Sequence, residues 1–188
     1  MTMLKPGHST PCCARSGQSE KERQFHISLK WSGDVAYFLA GAAVDREAVC
    51  KRAWIVHEEN RRLPDKSERG LVFINSMASG EGIVIAPRFI HPAFRAVVIA
   101  AMPDQAAGEL GELELMVRDG PDGRAPEAYR FALQAPADPQ EMIIAAIFHR
   151  DHERRDQWSI VGVDETAAAR PPFNELLDAL TVIAPGYC

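Results

Sequence analysis

The stretch Gly70-Leu-Val-Phe-Ile-Asn-Ser-Met-Ala-Ser-Gly-Glu-Gly-Ile-Val-Ile85 constrains the fold more than any other part of the chain. Leu71 to Ile74 is a continuous β-favouring apolar run, and Ile83 to Ile85 is apolar and β-branched again. Asn75 to Gly82, between them, is rich in small, turn-forming residues. The stretch reads as strand, turn, strand. Neither arm alternates with polar residues, so both faces are expected to be covered, as in the core of a sandwich.

The remaining segments extend that pattern. Ile27, Leu29 and Trp31 alternate with His26, Ser28 and Lys30, a half-buried strand closed by Ser32-Gly33-Asp34. Val35 to Val44 and Arg95 to Ala101 read as buried strands, the second stopped by Pro103 and Asp104. Leu113, Leu115 and Val117 alternate with Glu114, Met116 and Arg118, and Tyr129, Phe131 and Leu133 alternate in turn beyond the Asp119–Gly123 turn signal. Met142 to Phe148 is expected to pair with Trp158 to Val163 across a charged turn, His149 to Gln157. Phe173, Leu176, Leu177, Leu180 and Ile183 repeat at helical spacing after Pro171 and Pro172. A second, short helix is expected over Asp45 to Asn60, where Val49, Ala53 and Val56 share a face. The sum is a mainly β fold: a β-sandwich of two mostly antiparallel sheets with one or two peripheral helices.

The 188 residues suit one domain with a substantial core. Residues 1–24 read as a disordered tail or expression remnant, and residues 25–188 as a single β-sandwich domain with a charged insertion around 45–69. A formal net charge of -5 lacks the basic bias of a general nucleic-acid binder. Ala93 to Met102 is interrupted by Arg95 and is too short to span a bilayer, so no integral membrane segment is expected. The first 23 residues have no apolar signal-peptide core, and the expected location is cytoplasmic. Cys12, Cys13, Cys50 and Cys188 follow neither a redox nor a zinc spacing and read as unpaired thiols.

Motifs for catalysis are scarce. His57-Glu-Glu-Asn-Arg61 lacks the second histidine of a zinc helix. His149 and His152, beside Asp151 and Glu153, have the composition of a surface metal site, and a metal-dependent enzyme using them is the rival reading. A solvated, charged turn accounts for them more simply. There is no nucleophile elbow, P-loop or dinucleotide fingerprint.

From about Ile27 to Ile183 the chain resembles the TerD family of tellurium-resistance and general stress proteins. Leu29-Lys-Trp31 with Asp34 is similar to the family's opening Leu-Gly-Trp strand and the first aspartate of its Asp-Leu-Asp motif. Val72-Phe-Ile-Asn75 and Ser79-Gly-Glu-Gly82 resemble its Phe-Val-Phe-Tyr-Asn-Asn and Ser-Pro-x-Gly block. Asp104, Gly108 and Leu110-Gly111 resemble a third segment, and Glu141 to Arg150 with Trp158 the closing strand pair. The resemblance implies a sandwich that binds calcium through acidic loops. It also implies a non-enzymatic role in bacterial stress response, within a multi-protein complex near the membrane, so that peripheral association is open to it.

Departures from the family bear on calcium, which takes six to eight oxygens. Ala36 replaces the second aspartate, Ile85-Ala-Pro87 runs where an acidic loop would follow Val84, and Asp164-Glu-Thr166 replaces a Gly-x-Gly. Asp34, Asp104 and Glu81 are the residues left for a reduced calcium site, and no cofactor is otherwise expected. The expected function is a binding or scaffold protein acting through protein–protein contacts, with a calcium-binding TerD-type protein as the alternative. Trp54, Ile55, Arg61 and Arg62, in the charged insertion, are the expected partner surface. Homo-oligomerisation is left open.

Overall fold

The computed structural model describes residues 2–3, 5–12, 23–64, 67–76, 80–104, 108–138, 141–151, 157–168 and 174–186. Two six-stranded sheets account for most of them. The first contains β1 (Thr2–Met3), β3 (Phe25–Trp31), β6 (Leu71–Ser76), β7 (Gly80–Ile85), β9 (Leu113–Asp119) and β10 (Glu127–Leu133). Its order is β1-β10-β9-β3-β7-β6. The second contains β2 (Ser9–Pro11), β4 (Tyr37–Asp45), β5 (Ile55–Val56), β8 (Phe94–Pro103), β11 (Glu141–Arg150) and β12 (Trp158–Ala168), in the order β2-β12-β11-β8-β4-β5. Every neighbouring pair is antiparallel except β1 on β10. The expected mainly β sandwich is thus observed, with one helix, α1 (Asn174–Ile183), among the described residues.

Burial follows the sequence pattern strand by strand. β9 alternates between buried and half-buried residues, as its Leu113, Leu115 and Val117 face requires. β8 and β11, with no polar alternation, are buried on both faces. Phe25, Ile27, Leu115 and Phe131 of the first sheet meet Leu39, Ile99, Phe148 and Ile160 of the second in the inter-sheet core. The Phe25 and Phe148 rings lie 5.7 Å apart in a tilted contact. Ala40, Ala42, Val98, Ala100, Ile144 and Val161 form a second cluster on the outer face of the second sheet, capped by Leu176 and Leu180 of α1. No helix of the described residues is long and apolar enough to cross a membrane.

The central hairpin is β6 and β7, paired from Leu71↔Ile85 to Ser76↔Gly80. β7 is covered on both faces over residues 82–85, whereas β6 is the sheet edge, with Leu71 and Phe73 buried and Val72 and Ile74 half-buried. Covering both faces of β6 was too broad an expectation.

Two further expectations are corrected. The N-terminal tail is not uniformly free: β1 and β2 add to the open edges of the two sheets, while residues 13–22 lie outside the described residues. An edge supplies unpaired main-chain groups that any extended segment can take, so this pairing needs no apolar pattern. Arg23, also inside the supposed tail, is buried and forms an ion pair with Asp119 at 3.2 Å.

The helix expected over Asp45 to Asn60 is absent. Asp45 Oδ1 accepts hydrogen bonds from the backbone N–H groups of Glu47 and Val49, and Ala48 takes a left-handed φ of 61°. The aspartate thereby holds a tight turn in place of a helix start. Arg52–Trp54 makes one 3-10 turn, and Ile55 and Val56 pair with β4. The segment then crosses to the first sheet, where Arg62 bridges Val72. The charged insertion therefore closes one side of the sandwich.

The outer cluster sets a stability expectation. Leu180→Ala should lower the unfolding free energy by about 2–5 kcal/mol in a urea titration, through lost burial and a cavity. Val182→Ala, on the same helix but 79% exposed, should change it by less than about 0.5 kcal/mol.

Candidate functional site

Strand directions bring the family-like loops to one end of the sandwich. Trp31 pairs with Leu113 and Tyr37 with Pro103, so residues 32–36 leave the sheets beside residues 104 and 108–112. Ser32 N–H donates to Glu112 O at 3.1 Å, and Glu112 N–H returns a bond to Ser32 Oγ at 3.0 Å. The Asp34 and Val35 N–H groups share Glu109 O at 2.9 and 3.4 Å, and Asp104 N–H reaches Ala36 O at 2.7 Å. Tyr37 Oη donates to Leu110 O at 3.2 Å, and burial raises the pKa of that phenol. Gly33 and Gly111 touch backbone to backbone. A Cβ on Gly33 would lie 2.2 Å from Glu109 O, and Gly111 has a left-handed φ of 62°. Only glycine fits both demands.

The structure thus brings Asp34 and Asp104 into neighbouring loops, each with its side chain exposed. Glu81 starts β7 toward the same end, but its side chain lies outside the described residues. Among the described residues, no group of three or more His, Cys, Asp or Glu side chains is placed to hold a metal ion. Sequence reasoning missed Phe38, which is 40% exposed near this end and pairs with Met102. Its signal is that it falls between Tyr37 and Leu39, which both point inward.

At the opposite end, β4 finishes at Asp45, opposite Phe94 at the start of β8. A cavity of about 800 Å³ opens there, lined by Asp45, Trp54, Pro64, Ser67, Glu68, His91, Ala93 and Phe94. The Trp54 and Phe94 rings meet edge to face at 4.9 Å, and Lys51 Nζ stands 4.9 Å from the Trp54 centroid. Buried Ser67 accepts the His91 N–H at 2.9 Å, and His91 Nδ1 accepts the Ala93 N–H at 3.2 Å.

Of the expected partner surface, Trp54 lines this cavity, whereas Ile55 is 1% exposed and belongs to the core. Ile55 is corrected: its strand pairing with β4 buries it in the cluster on the outer face of the second sheet. Arg61 and Arg62 have exposed side chains, but their backbones pair with β6, Arg61 O accepting the Phe73 N–H at 2.9 Å. Ser67, His91 and Phe94 were missed because they come from separate segments that only the fold assembles.

His149 belongs to β11 and not to the charged turn. Its Nε2 lies 3.4 Å from Ser9 Oγ, while His152 lies outside the described residues. Arg150 donates to the carbonyls of Phe94 and Ile90 at 3.1 and 2.8 Å and stacks over Trp158 at 4.8 Å. Asp164, at the position of the family's glycine motif, keeps a left-handed φ of 56° and accepts the Gln134 N–H at 2.9 Å. Burial, then Asp45, pushes the Cys50 thiol up to about 12, so it is no nucleophile at neutral pH.

His26 is a buried titratable group of the first sheet. It is 1% exposed, both ring nitrogens lack hydrogen-bond partners among the described residues, and Gly82 packs against Nε2. Burial lowers its pKa to about 4, with the Arg118 guanidinium adding to the effect and Asp122 partly opposing it.

No protein-family model matches the sequence, and no curated protein does. Solved structures do. One, a crystal structure of a protein of unknown function, superposes with a TM-score of 0.55 at 12% identity, covering 83% of this chain and 96% of that one. Another, a homologue of the telluride resistance protein (TerD) from Streptomyces coelicolor A3(2), gives a TM-score of 0.53 at 13% identity. It covers 80% of this chain and 93% of the other. The fold is TerD-like, as the motifs imply.

His26 gives a pH dependence of definite sign. Its folded pKa of about 4 lies below the ordinary 6.5, so the unfolded chain takes up the proton first. Stability should fall as pH drops from about 6.5 to about 4 and level off below. Urea titrations across that range should show a shallower fall in His26→Gln. An unchanged slope would mean that the imidazole does not stay neutral in the folded protein.

Proposed function

We propose that the chain is a non-catalytic, TerD-like binding or scaffold protein of the bacterial stress response, tellurite resistance included. It acts through contacts with other proteins and needs no structural calcium ion. A cytoplasmic place, with peripheral membrane association open to it, suits that role. The fold likeness to a TerD homologue supports the setting.

One observation carries the calcium-free reading. The loops bearing Asp34 and Asp104 are tied by protein groups: Asp104 N–H to Ala36 O, Asp34 N–H to Glu109 O, and the reciprocal Ser32–Glu112 pair. The glycine contact at Gly33 and Gly111 adds to them. Such bonds do the tying that an ion would otherwise do. The cavity under Trp54 and Phe94 is then the surface for a partner, since a concave, partly aromatic site suits an anchoring side chain.

The competing reading keeps a reduced calcium site on Asp34 and Asp104. A thermal melt in saturating calcium against the same protein in chelator separates the two. The expected result is the same Tm within about 1 °C, because an ion that does not bind the native state adds no stability. A clear upward shift, abolished by Asp34→Ala, would replace this proposal with the calcium-binding one.

A further inference from the structure

We infer that the side of the sandwich between β10 and β12 is a strand-accepting edge, and that residues 2–3 and 5–12 of a second copy of this chain fit it as the chain's own residues 2–3 and 5–12 do. The inference goes beyond the proposed function and does not rest on it. The segment crosses from one sheet to the other. Thr2 and Met3 pair with Tyr129 and Arg130 of β10, while Ser9, Thr10 and Pro11 pair with Val161, Ile160 and Ser159 of β12. Between them Pro6 bridges Gly162, and Gly7 N–H donates to Gly162 O at 2.7 Å. Cys12 N–H donates to Trp158 O at 2.7 Å.

The acceptor reads main chain. Tyr129 Oη donates to Pro11 O at 3.1 Å, and the Arg23 guanidinium donates to Cys12 O. Arg23 is held for this by Asp119, in an ion pair whose side chains are 6% and 2% exposed. Both donors come from the first sheet or its approach and grip carbonyls of a strand that belongs to the second.

What the segment brings in return is slight. Met3 is 56% exposed, and Lys5, Pro6, Gly7, His8, Ser9 and Pro11 are exposed as well. Main-chain pairing with little apolar burial belongs to the low-stability end of a fold, where local opening is frequent. Release would uncover two sheet edges and two aimed donors, and an uncovered edge pairs with whatever extended chain reaches it. A second copy supplies that chain with every contact already matched, which makes exchange of an identical element a low-cost route to a dimer.

The test uses the full chain with its native cysteines changed to serine. Pro11 and Ser159 are direct partners across the β2–β12 pair, a placement compatible with a disulfide. The P11C/S159C double variant reports whether the edge is filled as described, by a disulfide within one chain. Differently tagged P11C and S159C single variants, mixed at rising concentration and oxidised, report exchange between copies. The expected results are closure of the double variant and a mixed-tag, reductant-sensitive species of twice the chain mass that grows with concentration. Closure of the double variant with no mixed-tag species would overturn the exchange. Failure of the double variant to close, with its native circular dichroism retained, would overturn the edge placement itself.

Discussion

The second sheet is apolar on both faces, and the rest of the structure answers that constraint. β4, β8 and β11 run buried for six or seven consecutive residues each. A sheet of that kind is stable only with a layer on each side. The first sheet supplies one layer through Phe25, Ile27, Leu115 and Phe131, and α1 supplies part of the other through Leu176 and Leu180. The outer face mixes small side chains, Ala40, Ala42, Ala96 and Ala100, with larger ones such as Val98, Met142 and Ile144. The helix of ten residues packs against this face beside β12.

Two sheets stacked in this way leave two open sides, and the chain closes both with segments that have little apolar patterning. Residues 2–3 and 5–12 close one side by joining β10 to β12. Residues 55–62 close the other, pairing first with β4 and then with β6. The buried Arg23–Asp119 pair sits beside the first closure. Removing one partner of such a pair commonly costs about 3–5 kcal/mol, because the other charge is left buried and unmatched. With the sides closed, the two ends remain for function. One carries the Asp34 and Asp104 loops, and the other carries the cavity at Trp54 and Phe94.

The parts of this fold that bury side chains were legible in the sequence. Alternation located β9 and β10, unbroken apolar runs located β8 and β11, and the Leu176–Leu180 spacing located α1. Asp34 and Asp104, which the family-like motifs singled out, lie in neighbouring loops at one end. The closures were not legible. Main-chain pairing of Ser9–Pro11 leaves no side-chain signature. The helical spacing of Val49, Ala53 and Val56 is a coincidence of the Asp45 turn and a short strand. The dense charge around Ile55 put it on a partner surface, whereas its pairing with β4 buries it. Ser67, His91 and Phe94 converge on the cavity from distant positions, which no local pattern encodes.

Native-state hydrogen exchange tests this hierarchy most directly. Amides of β8 and β11, such as Ile99 and Ile144, should exchange only through global unfolding, with the denaturant dependence of the whole domain. The Gly7 and Cys12 amides, bonded to Gly162 and Trp158 at the β12 edge, should exchange through local opening, far faster and nearly independent of denaturant. Protection in β8 and β11 no greater than at those edge amides would contradict a fold organised around its second sheet.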